Sequence, residues 1–144
     1  MVKETRTVSV ERRIAAPPEK VFDAWLDRDG LGQWLFRTPG GTTERVEVDP
    51  QVGGRFRVDE RRDGNLAEHH GEYVALDRPH RLAFDFWTSF SDERTRVTIE
   101  IAPDGNGSLL TLTHAGVWTD YEDRTRQGWT MILESLERWI ARHP

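Results

Sequence analysis

Between residues 44 and 114 apolar side chains recur at every second position in short runs, and each run ends on a turn signal. A two-residue period puts alternate side chains on opposite faces of an extended chain, so the stretch reads as an antiparallel meander with one apolar face. Val46 and Val48 mark its first strand, and Phe56 and Val58 its second after Pro50 and the Gly53-Gly54 pair. Asp63-Gly64-Asn65 reads as a hairpin turn. The third strand runs from His69 through His70, Gly71, Glu72, Tyr73 and Val74 to Leu76, and Asp77-Arg78-Pro79 breaks it. Leu82, Phe84 and Phe86 form the apolar face of the fourth strand, and Val97, Ile99 and Ile101 that of the fifth. Asp104-Gly105-Asn106-Gly107 is the clearest turn, and a last strand from Ser108 to His114 carries Leu110 and Leu112 opposite Thr111 and Thr113.

The flanks follow other periods. Val8, Val10 and Ile14, with Arg12 between them, read as an opening strand that Ala15-Ala16-Pro17-Pro18 ends. Proline suits the first turn of a helix, and Val21, Phe22, Trp25 and Leu26 then share one helical face. Asp29 is placed to cap a second short helix carrying Leu31, Trp34 and Leu35, although Gly30 and Gly32 weaken it. At the other end, Thr119 with Glu122 has the spacing of a capping box, and Trp129, Ile132, Leu133, Leu136, Trp139 and Ile140 keep helical spacing. Asp120 with Arg124, Glu122 with Arg126 and Glu134 with Arg138 mark this helix's wet face. A sheet with one apolar face needs a cover, and the terminal helix has the matching stripe. The expected architecture is α+β: a curved antiparallel sheet of about six strands wrapped around a long C-terminal helix, with two short helices after the first strand. The 144 residues fit one domain, 1–144, around one core.

A net charge of −5 gives no broad attraction to phosphate backbones, so no nucleic-acid partner is expected. Arg55, Arg57, Arg61 and Arg62 form the one local basic group; Arg55 and Arg57 alternate with Phe56 and Val58, so the solvated face of a strand is the plainer reading. No apolar run approaches the ~20 residues of a membrane span, and Met1 to Arg6 carry charges with no apolar region behind them, which points to the cytoplasm. Zero cysteines remove disulfides, thiol nucleophiles and thiolate metal ligands together.

The order of strand, two helices, meander and long helix is similar to the helix-grip fold of the START-like (SRPBCC) superfamily. Local motifs narrow the resemblance to the activator of heat-shock protein 90 ATPase homologue-like family. They are Ala16-Pro17-Pro18-Glu19-Lys20-Val21-Phe22-Asp23-Ala24-Trp25, Gly53-Gly54-Arg55-Phe56, Gly71-Glu72-Tyr73 and Pro79-His80-Arg81-Leu82. Leu110-Thr111-Leu112-Thr113-His114-Ala115-Gly116 and Gly128-Trp129 complete the set, in an order covering nearly all of residues 8–141. The resemblance implies a cavity between sheet and terminal helix for a hydrophobic or amphipathic small molecule, in a family whose members mostly have no assigned reaction.

Six tryptophans and six phenylalanines are more aromatic mass than a minimal helix-on-sheet core requires, and aromatics commonly line small-molecule pockets, although plain packing explains them too. Phe56, Phe84, Phe86, Trp129, Leu133 and Leu136 are the expected wall, with Trp25, Trp34 and Trp118 closing its rim and His114, Tyr73 or Glu72 as polar anchors. Trp87 alternates outward from Phe86, which makes it a surface residue or the contact of a homodimer. Gly128 sits inside the helical pattern at a cost of about 1 kcal/mol relative to alanine, so it marks either close packing, the plainer reading, or space for a ligand. His114 ends the last strand; it either bonds loop backbone, again the plainer reading, or meets a ligand. His69 and His70 are adjacent and so face opposite ways, and His80 and His143 have no ligand-like spacing, so neither a metal nor a cofactor is expected.

Three functions fit these residues. The first is a non-enzymatic binding module for a hydrophobic small molecule. The second is a cyclase-like or hydrolytic enzyme on the same fold, which needs an acid–base pair such as Glu72 or Tyr73 beside His114. The third is a chaperone-regulating interaction domain, which needs an exposed apolar patch of more than a few hundred square ångströms.

Overall fold

Turn chemistry decides where this chain reverses. Asp63 and Gly64 both take left-handed backbone angles, φ 48° and 82°, as a two-residue hairpin turn requires. The computed structural model describes residues 4–143, so Met1 to Lys3, part of the stretch read for a leader, lie outside the described residues. Its strands are β1 (Thr5–Ile14), β2 (Thr42–Val48), β3 (Arg55–Arg62), β4 (Asn65–Asp77), β5 (Arg81–Thr88), β6 (Ser91–Asp104) and β7 (Gly107–Trp118). The helices are α1 (Pro18–Ala24), α2 (Arg28–Trp34) and α3 (Glu122–Arg142), and a short 3-10 turn, Thr119–Tyr121, precedes α3.

All seven strands form one antiparallel sheet in the order β1-β7-β6-β5-β4-β3-β2. The chain therefore closes on itself: β7 returns beside β1, from Thr5 opposite Trp118 to Ile14 opposite Ser108. The architecture is the expected α+β helix grip, with a strand count slightly above the about six read from the sequence. Across the inner face, Phe56, Val58, Tyr73, Phe84, Val97, Ile99, Leu110 and Leu112 are buried against Trp129, Leu133, Leu136, Trp139 and Ile140 of α3. Gly30 and Gly32 weaken α2 as a helix, but a Cβ at either would overlap Trp139 or Val46, so their bareness lets α3 and β2 pack against the helix backbone.

Two local readings change. Asp27, not Asp29, caps α2: its carboxylate accepts from the Asp29 N–H at 3.0 Å. The capping box at Thr119 does not form. The Thr119 hydroxyl and N–H both donate to the Glu4 carbonyl, at 3.1 and 3.2 Å, tying the end of β7 to the start of β1, and α3 begins after Tyr121 without a side-chain cap. Of the helical ion pairs, Glu122 and Arg126 approach to 3.4 Å, whereas Arg138 donates to the Ser135 hydroxyl at 3.2 Å. No helix among the described residues is long and apolar enough to cross a membrane.

Candidate functional site

Cross-strand register fixes which side chains can meet inside. Tyr73 lies opposite Phe84, Phe84 opposite Val97 and Val97 opposite His114, so these four form one row across β4, β5, β6 and β7. A neighbouring row runs from Phe56 through Gly71 and Phe86 to Thr95. α3 lays Trp129 over the β7 end of these rows. Its indole N–H donates to His114 Nδ1 at 3.0 Å, which leaves the His114 proton on Nε2, 2.7 Å from Thr95 Oγ1. Thr95 Oγ1 in turn donates to the Phe86 carbonyl at 3.4 Å. Both nitrogens of His114 are thus occupied by side chains of β6 and α3 rather than by loop backbone, and β7 continues past it to Trp118. Burial lowers its pKa to about 4, so it is neutral at pH 7.

The polar anchors separate. Tyr73 turns inward, donates to the Trp25 carbonyl at 3.4 Å, and has its phenol pKa raised by burial. Glu72 turns outward to Arg55 at 3.2 Å and Arg94 at 3.9 Å. Three strand spacings of about 4.8 Å put Tyr73 and His114 roughly 14 Å apart, so neither residue makes the acid–base pair with His114.

The expected wall falls into linked groups. Phe86, His114 and Trp129 meet at ring separations of 5.9 to 6.4 Å. Phe56 packs on Phe84 at 4.9 Å and on Tyr73 at 5.7 Å, and Phe84 reaches Phe86 at 6.5 Å. Trp25 and Trp34 meet edge to face at 4.7 Å and are buried in the core beside α1 and α2 rather than set on a rim. Leu133 and Leu136 are fully buried. Trp118 stands apart at the end of β7, 5.9 Å from Tyr121. On the outer face Trp87 stacks on His70 at 5.5 Å beneath the Arg94 guanidinium at 3.9 Å.

One residue outside the expected set completes the cluster. Phe36 follows α2, takes φ 53°, and inserts its ring beside His69 at 4.3 Å, Phe86 at 5.1 Å and Trp129 at 5.6 Å. His69 Nδ1 donates to the Val58 carbonyl at 3.1 Å, and burial lowers its pKa to about 4. Beyond Phe36 lies an open groove of about 580 Å³ between α3 and the α2–β2 connection. Phe36, Arg37, Thr38 and Pro39 line one side, Arg62 comes from β3, and Gly128, Met131, Ile132, Ser135, Arg138 and Arg142 line the other. A Cβ at Gly128 would meet nothing within 4 Å, so this glycine faces open space and is not a packing residue.

Glu60 lies behind the near wall and holds Thr38 and Arg62, which line it. Its carboxylate is fully buried and accepts from the Thr38 N–H at 2.6 Å and the Thr38 hydroxyl at 2.7 Å, while Arg62 donates to its other oxygen. Burial pushes the Glu60 pKa up, but the two Thr38 bonds and Arg62 outweigh it and the net shift is downward. Glu60 had a legible signal, being in phase with Phe56 and Val58 on the inner face of β3. Phe36 had a weaker one: an apolar residue immediately before a polar loop containing Pro39-Gly40-Gly41. Among the described residues no group of three histidine or carboxylate side chains gathers as a metal set.

Kinship is decided by comparison with known families. The model described as Activator of Hsp90 ATPase homolog 1-like protein matches residues 15–141. The chain belongs to that family. Among solved structures, a protein of Chromobacterium violaceum is 26% identical, with 92% of this chain and 94% of that one covered at a TM-score of 0.83. An AHSA1-like protein from Aeromonas hydrophila is 24% identical over 96% and 94% at a TM-score of 0.83. A Staphylococcus aureus protein of unknown function shares the fold at a TM-score of 0.87, with 19% identity over 98% and 96%. No curated protein matches the chain. Membership of the Activator of Hsp90 ATPase homolog 1-like family is consistent with a ligand-binding domain.

Proposed function

We propose that the chain binds a hydrophobic or amphipathic small molecule between α3 and the sheet, admitted through the groove at Phe36 and Gly128. The observation that carries this is the position of Phe36: its ring lines the open groove on one side and packs on Phe86, His69 and Trp129 on the other. A bulky residue at positive φ is a strained backbone arrangement, held here by the packing of the Phe36 ring on His69, Phe86 and Trp129. Phe86, His114 and Trp129 then form the near wall, and Phe56, Tyr73, Phe84, Trp25, Trp34, Leu133 and Leu136 the wall behind it. The groove outside Phe36, at about 580 Å³, is itself within the 300–1,000 Å³ usual for small-molecule sites, whereas the wall residues behind Phe36 do not line it and are packed on one another. The neutral, doubly bonded His114 serves as shape and as a fixed dipole, not as a base. The large exposed apolar residues among those described are Val52, Phe90, Tyr121 and Met131, of which Met131 lines the groove.

The test is organic extraction and mass spectrometry of the natively purified protein beside a Gly128→Trp variant, whose added ring projects into the groove. A compound enriched in the wild type and lost from the variant is expected. A wild-type extract holding nothing that the variant lacks would overturn the proposal.

A further inference from the structure

We infer, resting on that binding reading, that the groove selects amphipathic anions: a carboxylate or phosphate head on Arg138 and Arg142, with its apolar tail along Met131 and Phe36. The chain carries a net charge of −5, with 25 acidic residues against 20 basic ones, yet the groove is lined by four arginines and one glutamate, Glu134. Arg62 is committed to Glu60. The remaining three have no carboxylate within 4 Å among the described residues, and the Arg138 guanidinium bonds only the neutral Ser135 hydroxyl.

Elsewhere most of the described arginines meet a carboxylate, with Arg28, Arg81 and Arg124 as exceptions. On the outer face of β3, Arg55, Arg57 and Arg61 each meet a carboxylate, Glu72, Asp59 and Glu44 respectively. Arg142 has a separate reason to stand where it does, since a base in the last turn of α3 complements the helix dipole. That reason does not extend to Arg37, which reaches the same groove from the opposite wall. Planar guanidinium forks such as those of Arg138 and Arg142, one helical turn apart on the α3 wall, match carboxylate and phosphate oxygens, which they can hold by paired charge-assisted hydrogen bonds.

The groove is also polarised along its length. Gly128 and Met131 lie at one end of the α3 wall, Arg138 and Arg142 at the other, and at 1.5 Å per residue Gly128 and Arg138 are about 15 Å apart. Met131 is 49% exposed, an apolar surface left open beside the gap at Gly128. A ligand with one charged end and one apolar end satisfies both ends at once. A neutral hydrocarbon leaves the arginines bare, and a cation is repelled by them.

Calorimetric titration with decanoate, decyl phosphate, decanol and decylammonium, each below its micelle concentration, tests the assignment. Both anions are expected to bind about tenfold tighter than decanol, a preference of about 1.4 kcal/mol. Added salt should erode that preference, and an Arg138→Gln/Arg142→Gln double variant should bring decanoate to the decanol level while losing no more stability than the about 0.3–1 kcal/mol of the Arg142 dipole contact. Decanol binding as tightly as decanoate, with both abolished by Gly128→Trp, would overturn the anion assignment and leave the binding site standing. No amphiphile binding at all would overturn both. Binding to phosphatidylglycerol vesicles that Gly128→Trp leaves untouched, with no response to free decanoate, would assign the arginines to a membrane surface and overturn the inference.

Discussion

A Cβ added at Gly71 would overlap the ring of Phe56, which lies across that glycine from the neighbouring strand, whereas a Cβ at Gly128 would meet nothing within 4 Å. The same chemical change should therefore have opposite signs at the two positions. At Gly71 the obstacle is an aromatic ring held in the packed core by Tyr73 and Phe84, with no room to turn aside. Gly71→Ala is expected to destabilise the fold by about 1–3 kcal/mol, the usual cost of overpacking. In α3 the methyl group enters open space and the helix gains the propensity that glycine withholds, so Gly128→Ala is expected to stabilise by about 1 kcal/mol. Urea unfolding of the two variants beside the wild type measures both. A destabilised Gly128→Ala would mean that the groove wall is packed after all.

At the scale of elements, the groove depends on how the α2–β2 connection is held. That segment's own backbone bonding is one turn, from the Gly41 N–H to the Thr38 carbonyl at 2.9 Å; Glu60 of β3 anchors it by accepting two bonds from Thr38 and one from Arg62. Glu60→Gln keeps one acceptor oxygen but turns an amide NH₂ toward groups that are themselves donors. The expected cost is about 1–3 kcal/mol, that of a buried donor left without its acceptor. The loss should be local, appearing as faster hydrogen exchange at the amides of Thr38 and Gly41 while those of β6 and β7 keep their protection. Unchanged exchange at Thr38 would mean that the Phe36 ring alone anchors the connection.

These same residues show where sequence reading stops. The sheet and α3 were legible because burial of one face writes a period of two or of 3.6 into many successive residues, and no single substitution erases it. The groove is written in an aperiodic connection and on the side of α3 where Arg138 and Arg142 look like ordinary solvated charges. His114 stood out as an inward polar residue, but its partners Thr95 and Trp129 are 19 and 15 residues away, and no local spacing encodes them. Thr119 shows the converse: its capping signature was present, and a longer-range acceptor, the Glu4 carbonyl, took the hydroxyl instead.

For the molecule as a whole, two histidines placed on one interior face couple stability to pH. His69 and His114 are 5% and 6% exposed, and burial lowers each from 6.5 to about 4. Well above pH 6.5 both are neutral in the folded and the unfolded chain, and they add no dependence. Between pH 6.5 and about 4 the unfolded chain takes up protons that the folded chain refuses, so stability falls as pH falls, and the decline levels off below the folded value. Each shift corresponds to about 3 kcal/mol at its limit, and the pair together to a substantial part of the 5–15 kcal/mol that stabilises a domain. The depressed Glu60 carboxyl acts with the same sign at lower pH: its contribution is present above its unfolded pKa of 4.5 and is lost as pH falls through the folded one. The stability measured by urea unfolding should therefore drop steadily from pH 7 to pH 4.5, approaching a slope of about 2.7 kcal/mol per pH unit where both histidines titrate in the unfolded chain only. His69→Asn and His114→Asn should each remove about half of that slope whatever they do to stability at pH 7, because a slope counts protons and not contacts. A slope unchanged in both variants would show that the folded chain already carries these protons, and that the interior between the sheet and α3 is wet.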